Sequence, residues 1–198
     1  MIEPHGALKQ GDGLLIVDVQ NDFCPGGALA IDGGDRIIPM LNEWIRAAVE
    51  KGVPVYASRD WHPKGHVSFQ SQGGPYPAHC IQDTTGAAFH PSLNLNEAVI
   101  KVTKGTRFDQ DQNSSFDQTG FNHRLLQDKV DRIWIGGLAQ DICVLQTVLE
   151  ARTFRLKVQV LQEATRPVSP EEGGRALEKM RLAGAEVVAI PQAGVVGE

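Results

Sequence analysis

The stretch Ile133-Trp134-Ile135-Gly136-Gly137-Leu138-Ala139-Gln140-Asp141-Ile142-Cys143 reads as a short apolar strand, a glycine turn and the opening of a helix that follows Asp141. A buried strand running straight into a helix is the repeating step of a parallel sheet covered on both faces. The same stretch puts a thiol, Cys143, at the predicted start of that helix. Helix N-termini carry partial positive charge and free N–H groups, which stabilise a thiolate and can cradle the oxyanion of an acyl-transfer intermediate.

Working outward, five more short runs rich in Val and Ile have the same character: Leu14 to Val19, Val53 to Ala57, Val99 to Val102, Val158 to Leu161 and Val187 to Ala189. Apolar residues recur at helical spacing from Ile37 to Glu50, after Gly33-Gly34 and a helix-capping Asp35. A further helix starts at Ser169-Pro170-Glu171-Glu172, where Ser at the cap, Pro in the first turn and Glu three residues on form a capping box. The pattern predicts an α/β fold with six strands. A chain of 198 residues is enough for one such domain, burying roughly 70 % of its unfolded surface. The domain is expected to span 1–198, with an irregular insertion at about 61–97, a length of unpatterned chain that is usually functional. The tail Pro191 to Glu198 leaves two readings open, mobility or packing on a neighbouring subunit.

Composition narrows the partner. The formal net charge of −5 is scattered and no basic block occurs, which argues against nucleic acid and anionic membrane and for a small molecule. Three cysteines without paired spacing point to a reducing, cytoplasmic setting. Met1-Ile2-Glu3-Pro4-His5 has no signal-peptide core, and no apolar run approaches the ~20 residues of a membrane helix. The glycine pairs do not fit a nucleotide fingerprint, and no phosphate loop or Gly-x-Ser-x-Gly elbow is present.

Parallel sheets bind ligands beyond the carboxyl ends of their strands. Asp18 lies at the end of the first strand, Asp60 just past the second, Lys104 just past the third and Cys143 past the fourth. Alone, Asp18 is as well explained by capping of loop amides, and Lys104 by ordinary surface exposure. Together, Asp18, Lys104 and Cys143 make a cysteine hydrolase without a histidine base: the cation lowers the thiol pKa, and the carboxylate accepts its proton and returns it to a leaving amine. A second constellation is Asp60, His62, His66 and His79, three histidines and a carboxylate within twenty residues. Oxygen and imidazole donors in this mix suit zinc, iron(II) or manganese. Cys24 and Cys80 read as small buried thiols, and His5, His90 and His123 as surface or capping residues. Phe23, Trp61 and Tyr76 read as packing residues that could also wall an aromatic substrate.

In order along the chain come Asp18-Val-Gln-Asn-Asp-Phe-Cys-Pro-Gly-Gly27, Ser58-Arg-Asp-Trp-His62, Gly65-His66-Val-Ser-Phe69, Tyr76-Pro-Ala-His-Cys80, Lys104-Gly105 and Gly137-Leu-Ala-Gln-Asp-Ile-Cys-Val144. Over nearly its whole length the sequence resembles the isochorismatase-like cysteine hydrolases, and within them the nicotinamidase (pyrazinamidase) group. The resemblance implies a Rossmann-like three-layer α/β/α sandwich around a six-stranded, mainly parallel sheet. It implies the triad Asp18, Lys104 and Cys143, a cis peptide between Leu138 and Ala139, and an oxyanion hole from the amides of Ala139 and Cys143. It also implies one divalent metal, zinc first and iron(II) or manganese as alternatives, that anchors the pyridine nitrogen. Substrate contacts would come from Phe23, Tyr76, Leu138, Ala139 and Ile142. The implied reaction is nicotinamide to nicotinate and ammonia, feeding NAD salvage, in a possible homo-oligomer. Relatives acting on another amide, a carbamoyl compound or a vinyl ether are the alternative, and a non-catalytic binding module a more distant one. Tyr76 stands where many members have Trp, and Gln140 and Ile142 replace the usual Thr and an aromatic or His, which bears on pocket shape.

Overall fold

A computed structural model describes residues 2–190, so the tail read above lies outside the described residues. The chain runs through helix α1 (Pro4–Ala7), strand β1 (Asp12–Val17), α2 (Ile38–Glu50), β2 (Val55–Asp60), β3 (Ile100–Lys104), α3 (Phe121–Gln127), β4 (Arg132–Leu138), α4 (Leu145–Thr153), β5 (Lys157–Arg166), α5 (Pro170–Leu182) and β6 (Glu186–Val188). The six strands form one sheet in the order β3-β2-β1-β4-β5-β6, and every neighbouring pair is parallel. All six expected strands are present.

The run Leu14-Leu15-Ile16-Val17 is apolar throughout because both of its faces are covered. Leu14 and Ile16 pack with Leu41, Trp44 and Ile45 of α2, where the Trp44 and Trp134 rings lie 4.9 Å apart. Leu15 and Val17 pack on the other side with Phe121 and Leu125 of α3, Val148 of α4 and Met180 of α5. Each fully buried aliphatic side chain stabilises the fold by about 1.5–3 kcal/mol relative to exposure, so these two cores hold the three layers together.

The strand order reverses beside β1: the chain builds outward to β2 and β3, then returns to add β4 on the other side. Such a switch point opens a crevice at the carboxyl ends of the two strands that flank it. Gly137 lets β4 close on β1 there. Its φ is +129°, and a Cβ at that position would stand 2.1 Å from the Val17 carbonyl oxygen, so any side chain would push the strands apart.

Local details depart from expectation at several places. Asp35 does not cap α2; it lies within a 3₁₀ turn, Gly34–Ile37, that leads into the helix, and the helix start has no side-chain cap. At α5, Ser169 Oγ accepts the Glu172 N–H at 3.3 Å, but the Glu172 carboxylate pairs forward with Arg175 at 2.7 Å, so half of the capping box is made. Helices α1 and α3 are not expected from the sequence, because four and seven residues give too little periodicity. Among the described residues no helix is long and apolar enough to cross a membrane.

Asp128, just past α3, accepts from Tyr56 Oη at 2.6 Å and Arg124 Nε at 2.7 Å. Burial works to raise its pKa, but Arg124 and Tyr56 outweigh it and hold the carboxyl below its usual range. A depressed carboxyl contributes stability above its unfolded pKa of about 3.9 and loses it as pH falls through the folded value. Tyr56→Phe is therefore expected to cost about 1–3 kcal/mol at neutral pH, with the gap from the parent protein narrowing below about pH 4. Urea melts across that range measure it; a gap independent of pH would remove the Asp128 contribution.

Candidate active site

Asp18 is the first residue beyond β1, at φ +49°, and is fully buried. Its Oδ1 accepts from Ser58 Oγ at 2.6 Å. Its Oδ2 lies 2.8 Å from Lys104 Nζ, an ion pair between two fully buried groups. The ammonium takes one lone pair of that oxygen and leaves the other free. Lys104, the last residue of β3, is also buried; its stem reaches past β2 so that Nζ contacts Asp60 Oδ1 at 2.5 Å and Cys143 Sγ at 3.6 Å. An oxygen of Asp18, one of Asp60 and Cys143 Sγ fall within 4.8 Å of one another.

Cys143 sits in a π-helical turn, Gln140–Val144, between the cis Leu138-Ala139 peptide and α4. The Ala139 carbonyl accepts from the N–H groups of Ile142 and Val144 at 3.1 and 3.0 Å, which fixes the turn. Burial pushes the Cys143 thiol well above its ordinary value, Lys104 only partly opposes this, and Asp18 and Asp60 add to the rise. Burial also raises Asp18, against the pull of Lys104. Burial thus favours the protonated form of the thiol and makes the neighbouring carboxylate more basic, which suits transfer of the proton from one to the other. Lys104 itself is held protonated: burial opposes its charge, but Asp18 and Asp60 together raise its pKa.

On the other side of Asp60, the donor atoms of Asp60, His62 and His79 lie within 4.8 Å of one another. His62 Nδ1 contacts the Gly105 carbonyl at 2.9 Å and His79 Nδ1 the Pro77 carbonyl at 2.8 Å. A carbonyl can only accept, so each Nδ1 carries the proton and each Nε2 presents a lone pair, the arrangement that orients metal-binding imidazoles. Asp60 Oδ2 faces His62 Nε2 at 3.7 Å, too far for a hydrogen bond and a span that an ion bonded at ~2.0–2.2 Å to each atom can bridge. The donor set fits a divalent cation. Gly105 makes the approach possible: at φ +64°, a Cβ there would lie 2.5 Å from the His62 ring.

His66 is not among the converging donors. Its Nε2 is 3.0 Å from the Gln110 carbonyl and its Nδ1 accepts from Ser68, while its ring stacks on His62 at 4.0 Å. Both nitrogens are thus engaged behind the site.

Between the thiol and the histidines lies a cavity of about 110 Å³, well below the ~300–1,000 Å³ of sites for larger ligands, so a single small ring is its natural guest. Phe23, Tyr76, Ala139 and Ile142 line it, with Asp60, His79 and Cys143 as its polar floor. Leu138 does not: its side chain is wholly buried in the core against Gly34. Trp61 is covered by the Arg59 guanidinium at 4.0 Å and is not a cavity wall. Gln140 turns away toward α5, where its Oε1 crowds Gly173, whereas Tyr76 and Ile142 do shape the cavity.

Sequence reasoning missed several contributors. Gln20 pairs with Asp60 like a neighbouring strand, accepting its N–H at 2.8 Å and donating to its carbonyl at 2.7 Å; a glutamine two residues beyond Asp18 in an apolar run was the available signal. Ser58, Asn113, Leu29, Ile31 and Val168 were also not singled out, and all but Ser58 line the cavity. Cys24 and Cys80 are buried, as expected.

The Isochorismatase domain family matches residues 12–192. A nicotinamidase of Escherichia coli strain K12 is 37 % identical over 195 residues, covering 87 % of this chain and 92 % of its own. The crystal structure of a Pyrococcus horikoshii pyrazinamidase in complex with zinc superposes with a TM-score of 0.88 at 41 % identity, covering 91 % of this chain and 99 % of that one. A protein from L. infantum in complex with nicotinate gives a TM-score of 0.84 at 31 % identity, over 91 % and 93 % of the two chains.

Proposed function

This chain belongs to the isochorismatase family, and from that premise we propose that it is a metal-dependent cysteine amidase converting nicotinamide to nicotinate and ammonia. The observation that carries the reading is the meeting of Asp18, Lys104 and Cys143 with Asp60, His62 and His79 across one small cavity. The nicotinamidase of E. coli and the nicotinate-bound relative support the choice of substrate.

In this mechanism Cys143 Sγ attacks the carboxamide carbon as Asp18 Oδ2 takes the thiol proton, so that the burial of the resting thiol and the basicity of Asp18 work as a pair. The amide N–H groups of Ala139 and Cys143 receive the oxyanion. Asp18 passes its proton to the nitrogen, ammonia leaves, and a thioester remains. Water then attacks the thioester, giving up a proton to Asp18; Asp18 returns that proton to the departing sulfur, and the acid formed loses its remaining proton to solvent or to ammonia as nicotinate. Lys104 balances the negative charge of Asp18 and Asp60 throughout.

Asp60, His62 and His79 would hold the metal, with zinc favoured by the zinc-bound pyrazinamidase relative and iron(II) or manganese as alternatives. When bound, the ion supplies a Lewis-acid contact for the ring nitrogen and so fixes the direction of the carboxamide. Three unpaired thiols support a reducing cytoplasm as the working compartment, where the nicotinate formed would feed NAD salvage.

An ammonia-release assay on nicotinamide and pyrazinamide tests the reading. Turnover that chelation removes and divalent metal restores is expected; a metal-loaded protein that releases no ammonia from nicotinamide would contradict it. The ligand set has its own test. His62→Ala should weaken metal binding by at least about 100-fold, whereas His66→Asn should retain about one ion per chain by elemental analysis. Equal metal loss in both variants would restore His66 as a ligand.

A further inference from the structure

Asn113 lies in the segment that follows β3 and lines the cavity, with its Oδ1 3.8 Å from Cys143 Sγ. The segment is pinned on both sides of it. Gln112 is buried, accepting from the Gly105 N–H at 3.0 Å and donating to the Asp117 carbonyl at 2.8 Å, and the Ser115 N–H donates to Thr147 Oγ1 at 3.0 Å. Asn113 Nδ2 is turned toward Asp111 Oδ2, 3.5 Å away, which leaves Oδ1 as the atom facing the nucleophile.

A primary carboxamide bound over Cys143 has one acceptor, its carbonyl oxygen, and two N–H donors on the departing nitrogen. Among the described residues, the side-chain acceptors near Sγ are carboxylate oxygens of Asp18 and Asp60, both of them paired with Lys104, and Oδ1 of Asn113, which has no such partner. We infer that Asn113 is a specificity-determining residue whose Oδ1 accepts an N–H of the leaving nitrogen, so that the site selects primary amides over esters of the same ring acid. An ester places an oxygen without a hydrogen at that position, opposite a carbonyl-type oxygen, and the contact turns from attractive to repulsive. The inference rests on the amidase reading above.

The test compares kcat/KM for nicotinamide and methyl nicotinate, a quantity that reports steps through acylation and so contains the departure of each leaving group. Asn113→Ala is expected to lower the amide value by about 10- to 100-fold and to move the ester value by no more than about 3-fold, so the amide-to-ester ratio collapses. Asn113→Asp keeps an acceptor and should hold the ratio near that of the parent protein. Because the ratio cancels any change in Cys143 itself, a purely structural role leaves it unmoved. Amide and ester falling in step in Asn113→Ala, or a ratio lost equally in Asn113→Asp, would overturn the assignment while leaving the amidase reading intact. Failure of the parent protein to hydrolyse nicotinamide would overturn both.

Discussion

Replacing Cys143 by alanine is expected to lower nicotinamide hydrolysis by at least about 10⁴-fold, since residues that act as a catalytic unit lose nearly all of their effect when the nucleophile goes. No second thiol can substitute. Neither Cys24 nor Cys80 lines the cavity. The substitution removes one sulfur from a turn held by its backbone at Ala139, so the melting temperature should change little. Ammonia release and thermal melting on the same preparation separate the two quantities. An intact fold with more than about a tenth of the parent activity would rule out a thioester pathway, because no effect of that size is compatible with loss of the nucleophile.

Lys104→Met should give the largest loss of stability. Asp18 and Asp60 are buried, and Lys104 is the cation both of them touch. Breaking a buried ion pair from one side costs about 3–5 kcal/mol because a charge is left uncompensated, which for a chain of this size lowers the melting temperature by about 6–20 °C. The measurement belongs on metal-free protein, where no bound cation offsets Asp60. Adding Asp18→Asn to Lys104→Met removes one of the stranded charges and should recover part of the lost stability without recovering turnover. A melting temperature unchanged in Lys104→Met would mean that the two carboxylates do not share their charge with this ammonium.

The six strands were legible because parallel strands covered on both faces must be apolar at every position, and Leu14 to Val17 is such a run. The convergence of Asp18, Lys104 and Cys143 followed from the same reasoning, since parallel strands deliver their terminal residues to one edge. What the sequence did not carry is anything decided by a contact between distant loops. His66 looked equivalent to His62 and His79, but its ring direction is set by Ser68 and the carbonyl of Gln110, a residue from the far side of β3. Leu138 adjoins the catalytic turn, yet the core claims its side chain. Asn113 carries no periodicity or motif of its own and becomes visible only once the segment after β3 is pinned beside Cys143. The depth at which the thiol is buried, which opposes the pull of Lys104, is likewise a property of packing.

The sheet order also has a temporal meaning. A ribosome releases β1, β2 and β3 first, and with them Asp18, Asp60, His62, His79 and Lys104. Until β4 is made, β1 has no native partner on one side, and an unpaired strand edge of that kind is open to other strands. Docking of β4 closes that edge and, in the same movement, brings Cys143 to Lys104. The nucleophile therefore arrives with the strand that converts β1 from an edge into the middle of the sheet, and a chain stalled before that point has the charges of the site with no means of using them.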